Sequence, residues 1–141
     1  MKFTFLIPTI NNCNHLKICI SSIKKNSKFN HQILVHSNNS VDETSNYLKS
    51  QSIYEMKSAQ NYGLCTALNN LVKKAENDFL IFIHDDMYLC PGWEDVLINE
   101  INSDKDYNFY LSGVMIEKIN GHINYNFGDD YSNFDETKLL K

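Results

Sequence analysis

Four short apolar runs, each leading into a stretch where apolar residues recur every three or four positions, restrict what this chain can fold into. The runs are Phe3-Thr4-Phe5-Leu6-Ile7, Ile33-Leu34-Val35, a segment around Ile53 to Met56, and Phe79-Leu80-Ile81-Phe82-Ile83. Their lengths suit strands. Between them, Leu16, Cys19, Ile20 and Ile23 fall on one helical stripe ending near Asn26, and Leu64, Leu68, Leu71, Val72 and Ala75 form another. Asn12 or Asn14 is placed to cap the first of these helices. Ser40-Val41-Asp42-Glu43 has the serine-to-glutamate spacing of a capping box and opens a helix running to about Gln51. Pro91 opens a fourth helix, with Trp93, Leu97 and Ile101 facing one way. Parallel strands need a crossover between them, so a chain alternating strand and helix closes as a parallel sheet with helices against its faces. The expectation is an α/β fold whose mostly parallel, Rossmann-like sheet is flanked by helices. Within it, the unbroken apolar run from Phe79 to Ile83 reads as a central strand covered on both faces.

The alternation stops after the fourth helix. Val114 to Ile119 and His122 to Phe127 flank Asn120-Gly121, a dipeptide suited to a two-residue turn in which both central positions take positive φ. A late antiparallel hairpin is expected there. From Gly128 to Lys141 the sequence turns polar and acidic, which reads either as a chain that continues further or as an amphipathic closing segment. The 141 residues suit a single domain, 1–141. Apolar residues at 43% and charged residues at 21% fit a folded globular chain. A net charge of -4 argues against a partner held through a phosphate backbone, so no nucleic acid is expected. The opening apolar run ends at Pro8, too short for a signal or transmembrane segment, and the expected location is cytoplasmic. Cys13, Cys19, Cys65 and Cys90 form no C-x-x-C pair and read as reduced thiols.

Ligands of open parallel sheets gather beyond the carboxyl ends of the strands. The segments there are Pro8-Thr9-Ile10-Asn11-Asn12, Ser37-Asn38-Asn39-Ser40, Ser58 to Gly63, and His84-Asp85-Asp86. Turns and helix caps account for the first three as well as ligand binding does. The fourth differs, because adjacent carboxylates repel one another unless something positive lies beside them. A hard divalent cation, Mg²⁺ or Mn²⁺, typically takes one or two protein carboxylates and completes its shell with water and phosphate oxygens. Asp85 and Asp86 therefore point to phosphate chemistry, with a simple cap on the next turn as the plainer alternative. His84 and His36, both at strand ends, read as packing residues.

In their order along the chain these loops resemble the pattern of family 2 inverting glycosyltransferases of the GT-A fold, and the resemblance spans nearly all of the sequence. The family's first strand ends in a P-T-Y-N run, here Pro8-Thr9-Ile10-Asn11. Its second ends in D-N-G-S-T-D-G-T, here Ser37-Asn38-Asn39-Ser40-Val41-Asp42-Glu43-Thr44. An N-x-G followed by A-x-N is similar to Asn61-Tyr62-Gly63 with Ala67-Leu68-Asn69, and the metal-binding DxD-like motif corresponds to His84-Asp85-Asp86, with Pro91 downstream.

The resemblance implies a GT-A-like domain that binds a nucleoside-diphosphate sugar through Pro8, Thr9, Ile10, Asn11, Ser37, Asn38, Ser40, Asn61, Gly63, Asn69, Asp85 and Asp86. Asp86, helped by Asp85, would hold Mn²⁺ or Mg²⁺ against the diphosphate and offset the charge gathering on the leaving nucleotide. A hydroxyl of a glycan, lipid or protein acceptor, deprotonated by a carboxylate, would attack the anomeric carbon and invert it. The family takes that base from an acceptor-side region beyond the metal motif, which the resemblance leaves outside this chain. Asp129 and Asp130, which follow the hairpin segment, are the candidates within the chain for that base, with an acidic turn as their ordinary reading. Two departures concern the nucleobase: Ser37 stands where the family has a uracil-pairing aspartate, and Ile10 where a tyrosine can stack. A non-catalytic sugar-nucleotide-binding module is the alternative function. A flavodoxin- or receiver-like Mg²⁺ domain is the alternative of another class, against which the late Asn-Gly segment speaks.

Overall fold

The computed structural model describes residues 1–104 and 109–141. The strands and helices alternate as the periodicity predicts: β1 (Phe3–Thr9), α1 (Cys13–Asn26), β2 (Gln32–Asn38), α2 (Thr44–Ser50), β3 (Tyr54–Ser58), α3 (Leu64–Val72), β4 (Phe79–Phe82) and α4 (Trp93–Ser103). The four strands form one sheet in the order β3-β2-β1-β4, every neighbouring pair parallel. Helices connect these parallel strands, which is the α/β arrangement expected of the alternation. The chain divides into two compact units, Met1–Glu94 and Asp95–Lys141.

In the first unit all seven residues of β1 are buried, so this strand is the spine of the sheet. Side chains alternate across a strand, which puts Phe3, Phe5 and Ile7 on one face and Leu6 on the other. Leu6, Leu34 and Leu71 form a core cluster on the α3 side, with Met56 and Leu68 packed against it. On α1, Leu16, Cys19, Ile20 and Ile23 are buried, the stripe that their spacing predicts. At the amino ends of the strands the rings of Phe3, Phe5, His31 and Trp93 meet, with the His31 centroid 5.4 to 5.7 Å from the other three.

Three expectations are corrected here. β4 lies at the edge of the four-stranded sheet, not at its centre, and Leu80 and Phe82 remain 42% and 40% exposed. An uninterrupted apolar run signals material suited to two covered faces, but it does not say what covers them. The Ser40–Glu43 capping box does not form. The helix begins later, at Thr44, because the Ser40 hydroxyl accepts instead from the Asn11 backbone N–H at 3.1 Å. Nor does Asn12 cap α1 with its side chain, which pairs with His15 Nδ1 at 2.6 Å.

The second unit holds the other correction. β5 (Ile116–Glu117) and β6 (Ile123–Asn124) pair in parallel, so the late antiparallel hairpin is not formed. Asn120 takes positive φ, at 69°, but Gly121 does not, and a two-residue turn of the hairpin type needs both. The connection winds forward instead, and the Ile123 and Tyr125 amides donate to the Met115 and Glu117 carbonyls. A 3-10 turn (Tyr131–Asn133) and α5 (Glu136–Leu139) follow. Asp130 caps the turn by accepting from the Tyr131 N–H at 2.6 Å, Asp135 caps α5 by accepting from the Lys138 N–H at 2.9 Å, and Asp129 pairs with Lys118. Gly128, at φ 136°, sits where a Cβ would meet the Asn133 carbonyl oxygen at 2.7 Å, so glycine is required there.

Candidate functional site

β1 is where the sheet changes direction. The chain steps outward from it to β2 and β3, then returns to lay β4 along its other side. Such a reversal opens a crevice at the carboxyl ends of the strands, the usual ligand position in open α/β sheets. Thr9 closes β1 at that end, and Asp85 follows β4. Along the β1–β4 ladder Leu6 faces Phe82, an offset of 76 positions, and the same offset sets Thr9 beside Asp85. The Thr9 hydroxyl donates to Asp85 Oδ2 at 2.6 Å. That is the short distance typical of a hydroxyl bonded to an ionised carboxylate.

Asp86, one residue on, is exposed and forms no hydrogen bond among the described residues. His84 is exposed with its ring edge-on to Phe82 at 4.8 Å, in keeping with the packing role expected of it. Its carbonyl accepts from the buried Cys19 thiol at 3.5 Å, which fixes the start of the acidic turn to α1. Burial, then the charges of Asp85 and Asp86, push the Cys19 thiol well above its ordinary range, so it stays protonated as a donor. Cys19 was placed in the core by its spacing, but nothing in the sequence marks this bond to the acidic turn.

The loops after β1 and β2 are clasped together. Besides the Asn11-to-Ser40 bond, the Val41 N–H donates to Asn11 Oδ1 at 2.8 Å. Asp42 accepts from the Cys13 N–H at 3.0 Å with Oδ2 and from the Thr44 N–H at 3.2 Å with Oδ1. One carboxylate thus caps the first turns of α1 and α2. Burial raises the Asp42 pKa, but the hydrogen bonds from Thr44 and Cys13 outweigh it and hold the group below the usual carboxylate range. Sequence reasoning missed this double cap, for which the local signal was an aspartate two residues before the helix start. Because Asp42 occupies the Cys13 amide, that amide is not free for a phosphate.

The remaining residues singled out from the sequence fall around this edge. Pro8 lies within β1, in register with His36 of β2. Ile10 is 45% exposed, whereas Ser37 is only 2% exposed and Asn38 is also buried. Asn38 Oδ1 accepts from the Ser58 hydroxyl at 3.2 Å. Asn61 Oδ1 accepts from the Gly63 N–H at 2.9 Å, shaping a turn in which Gly63 takes φ 80°, where glycine is favoured. Asn69 is exposed on α3. The fold therefore brings Thr9 to Asp85 and Asn11 to Ser40. Among the described residues no hydrogen bond ties Asn61, Gly63 or Asn69 to the other loops.

Chemically, the edge offers two adjacent hard oxygen ligands. Among the described residues no group of three or more His, Cys, Asp or Glu side chains could enclose a metal ion. That donor set does not fit structural zinc, which needs four closed ligands, but it fits Mg²⁺ or Mn²⁺ sharing its shell with phosphate and water. Among the described residues no helix is long and apolar enough to cross a membrane.

Comparison with known proteins identifies the family and the fold. The sequence model described as Glycosyl transferase family 2 matches residues 4–139. No curated protein sequence matches the chain. Among solved structures, S. aureus TarS 1–349 superposes with a TM-score of 0.66 at 22% identity, over 73% of this chain and 33% of that one. The same protein in complex with UDP-GlcNAc gives 0.66 at 22% identity, over 73% and 32%. The mannosyltransferase PcManGT from Pyrobaculum calidifontis, in complex with GDP-Man and Mn²⁺, gives 0.63 at 17% identity, over 73% and 32%. The chain spans about a third of the length of these proteins, and at such identities the likeness is one of fold.

Proposed function

Since this chain belongs to glycosyl transferase family 2, with a GT-A-like α/β fold, we propose that it is the nucleotide-sugar-binding domain of a metal-assisted, inverting glycosyltransferase. One observation carries the reading: Asp85 and Asp86 follow β4 at its carboxyl end, directly beside Thr9 of β1, where the sheet changes direction. Two of the similar structures contain sugar nucleotides, UDP-GlcNAc in one and GDP-Man with Mn²⁺ in the other. Here Asp86 is the open ligand for Mn²⁺ or Mg²⁺, and Asp85 supports it. When bound, the cation supplies Lewis-acid stabilisation of the leaving diphosphate.

The chain's own residues bind and orient the donor. The clasped loops after β1 and β2 hold the nucleoside between the backbone of Pro8–Asn11 and Ser37–Ser40, and the Ile10 side chain offers an apolar surface to the base. Ser37 is buried and carries no charge, so base selectivity is weaker here than where an aspartate occupies the position. Asn61, Gly63 and Asn69 complete the donor side. The acceptor hydroxyl and its carboxylate base come from elsewhere, and within the second unit Asp129 and Asp130 already serve an ion pair and a cap. A cytoplasmic location belongs to the same proposal.

Thermal melts test it. Mn²⁺ and a nucleoside diphosphate together raise stability more than either alone, by about 2.7 kcal/mol at a hundredfold excess over the dissociation constant. Asp86→Asn removes the metal-dependent part of that gain. A wild-type melt indifferent to both ligands would sink the donor-site reading.

A further inference from the structure

We propose that Thr9 is a positioning residue: its hydroxyl aims Asp85 at the cation and does not itself touch the nucleotide. The proposal rests on the donor-site reading above and deepens it. Thr9 is nearly fully buried as the last residue of β1, so its side chain faces the fold, not the solvent. A threonine hydroxyl has one proton to donate, and this one goes to Asp85 Oδ2 at 2.6 Å. A β-branched side chain on a strand has little χ1 freedom, so the donor is held in place before any ligand arrives. Asp85 is only half-buried and begins an irregular turn, where a carboxylate would otherwise sample several rotamers. With Oδ2 fixed, Oδ1 is the oxygen left for the incoming cation. The β1–β4 register creates this pairing, so the sheet itself sets the aim of the acidic turn.

Two roles emerge for two adjacent aspartates. Asp86, exposed and without a hydrogen bond among the described residues, is free to follow the cation. Asp85 is the rigid member, and Thr9 is the reason. Hydrogen-bond partners of metal-ligating carboxylates typically alter metal affinity by 10- to 100-fold when removed.

The experiment titrates the chain with UDP and with GDP by calorimetry, with and without Mn²⁺, in wild type, Thr9→Val and Thr9→Ser. Thr9→Val keeps the shape and lacks the hydroxyl; Thr9→Ala replaces it if that variant fails to fold. The expected result is a roughly 10- to 100-fold loss confined to the Mn²⁺-dependent affinity in Thr9→Val, with Thr9→Ser close to wild type. In an Asp85→Asn background, Thr9→Val adds no further loss. A Thr9→Val chain with the full Mn²⁺ gain overturns the positioning role, as does an equal loss with and without the metal. A wild type whose nucleotide affinity ignores Mn²⁺ overturns the donor-site reading, and the positioning role with it.

Discussion

Asp42 does at residue scale what two separate caps usually do. Its two oxygens satisfy the Cys13 and Thr44 amides, and each helix loses an orphan donor. Replacing a cap typically costs about 1 kcal/mol, so Asp42→Ala should cost about 2 kcal/mol in chemical denaturation. Asn offers a single acceptor oxygen, so Asp42→Asn should fall midway, at about 1 kcal/mol. Equal losses for the two variants would mean that only one of the bonds matters. The residues around it were partly legible beforehand. Asn11 and Asn39 take φ 49° and 54°, left-handed values that asparagine tolerates well, and both lie in segments recognised as polar loops. What the order of residues could not reveal was the partner. Ser40 and Glu43 have the spacing of a capping box, yet Ser40 meets Asn11, because a contact across 29 positions displaced the local one.

At the scale of elements, the first turn of α4 is tied into the amino end of the sheet. Glu94 Oε2 accepts from the Lys28 N–H at 2.5 Å, and Oε1 lies 3.0 Å from His31 Nε2 without the alignment of a hydrogen bond. His31 Nδ1 accepts from the Phe3 N–H at 3.2 Å, so this nitrogen carries no proton and the ring is neutral. Burial lowers the His31 pKa, and the opposing pull of Glu94 does not restore it. Burial lowers that of His36 as well. The unfolded chain takes up protons as the pH falls through about 6.5, while the folded chain resists until its lower pKa. Stability is therefore complete above that value and declines as the pH drops below it. His31→Asn, which keeps an acceptor and loses the titration, should flatten the slope between pH 7 and 5, leaving the share of His36. Trp93, the single tryptophan, packs on the His31 ring and reports the transition by fluorescence. An unchanged slope would remove His31 from the account. Neither this pair nor the edge position of β4 shows in periodicity, which records that a strand is apolar but not who its neighbours are. The Asn120-Gly121 segment fails for a related reason. Its turn chemistry was suitable, but the strands it would join are two residues each, too short to impose the register.

For the whole molecule, the alternation of strands and helices was enough to specify the parallel sheet, and the sheet in turn set the candidate site at one edge. The acidic pair was visible because adjacent carboxylates after an apolar strand repel one another unless a positive group lies beside them. Under the proposed function, with the general base outside these residues, the chain should bind a sugar nucleotide without turning it over. A general base contributes roughly 10²- to 10⁴-fold, and its absence should leave transfer from UDP-GlcNAc or GDP-mannose to added acceptors at background. Robust multiple turnover by these residues would place a base inside them. The β1–β4 pairing also orders events in time. β1 meets β2 across 28 positions and β2 meets β3 across 20, whereas β1 meets β4 across 76. Closing the longest of these loops costs about 0.9 kcal/mol more in chain entropy than closing the β1–β2 loop. On loop-closure entropy alone the three-stranded part is expected to form before β4, the strand that carries the acidic turn, docks. Under the proposed function, a newly synthesised chain would stay blind to its donor until that final strand is home.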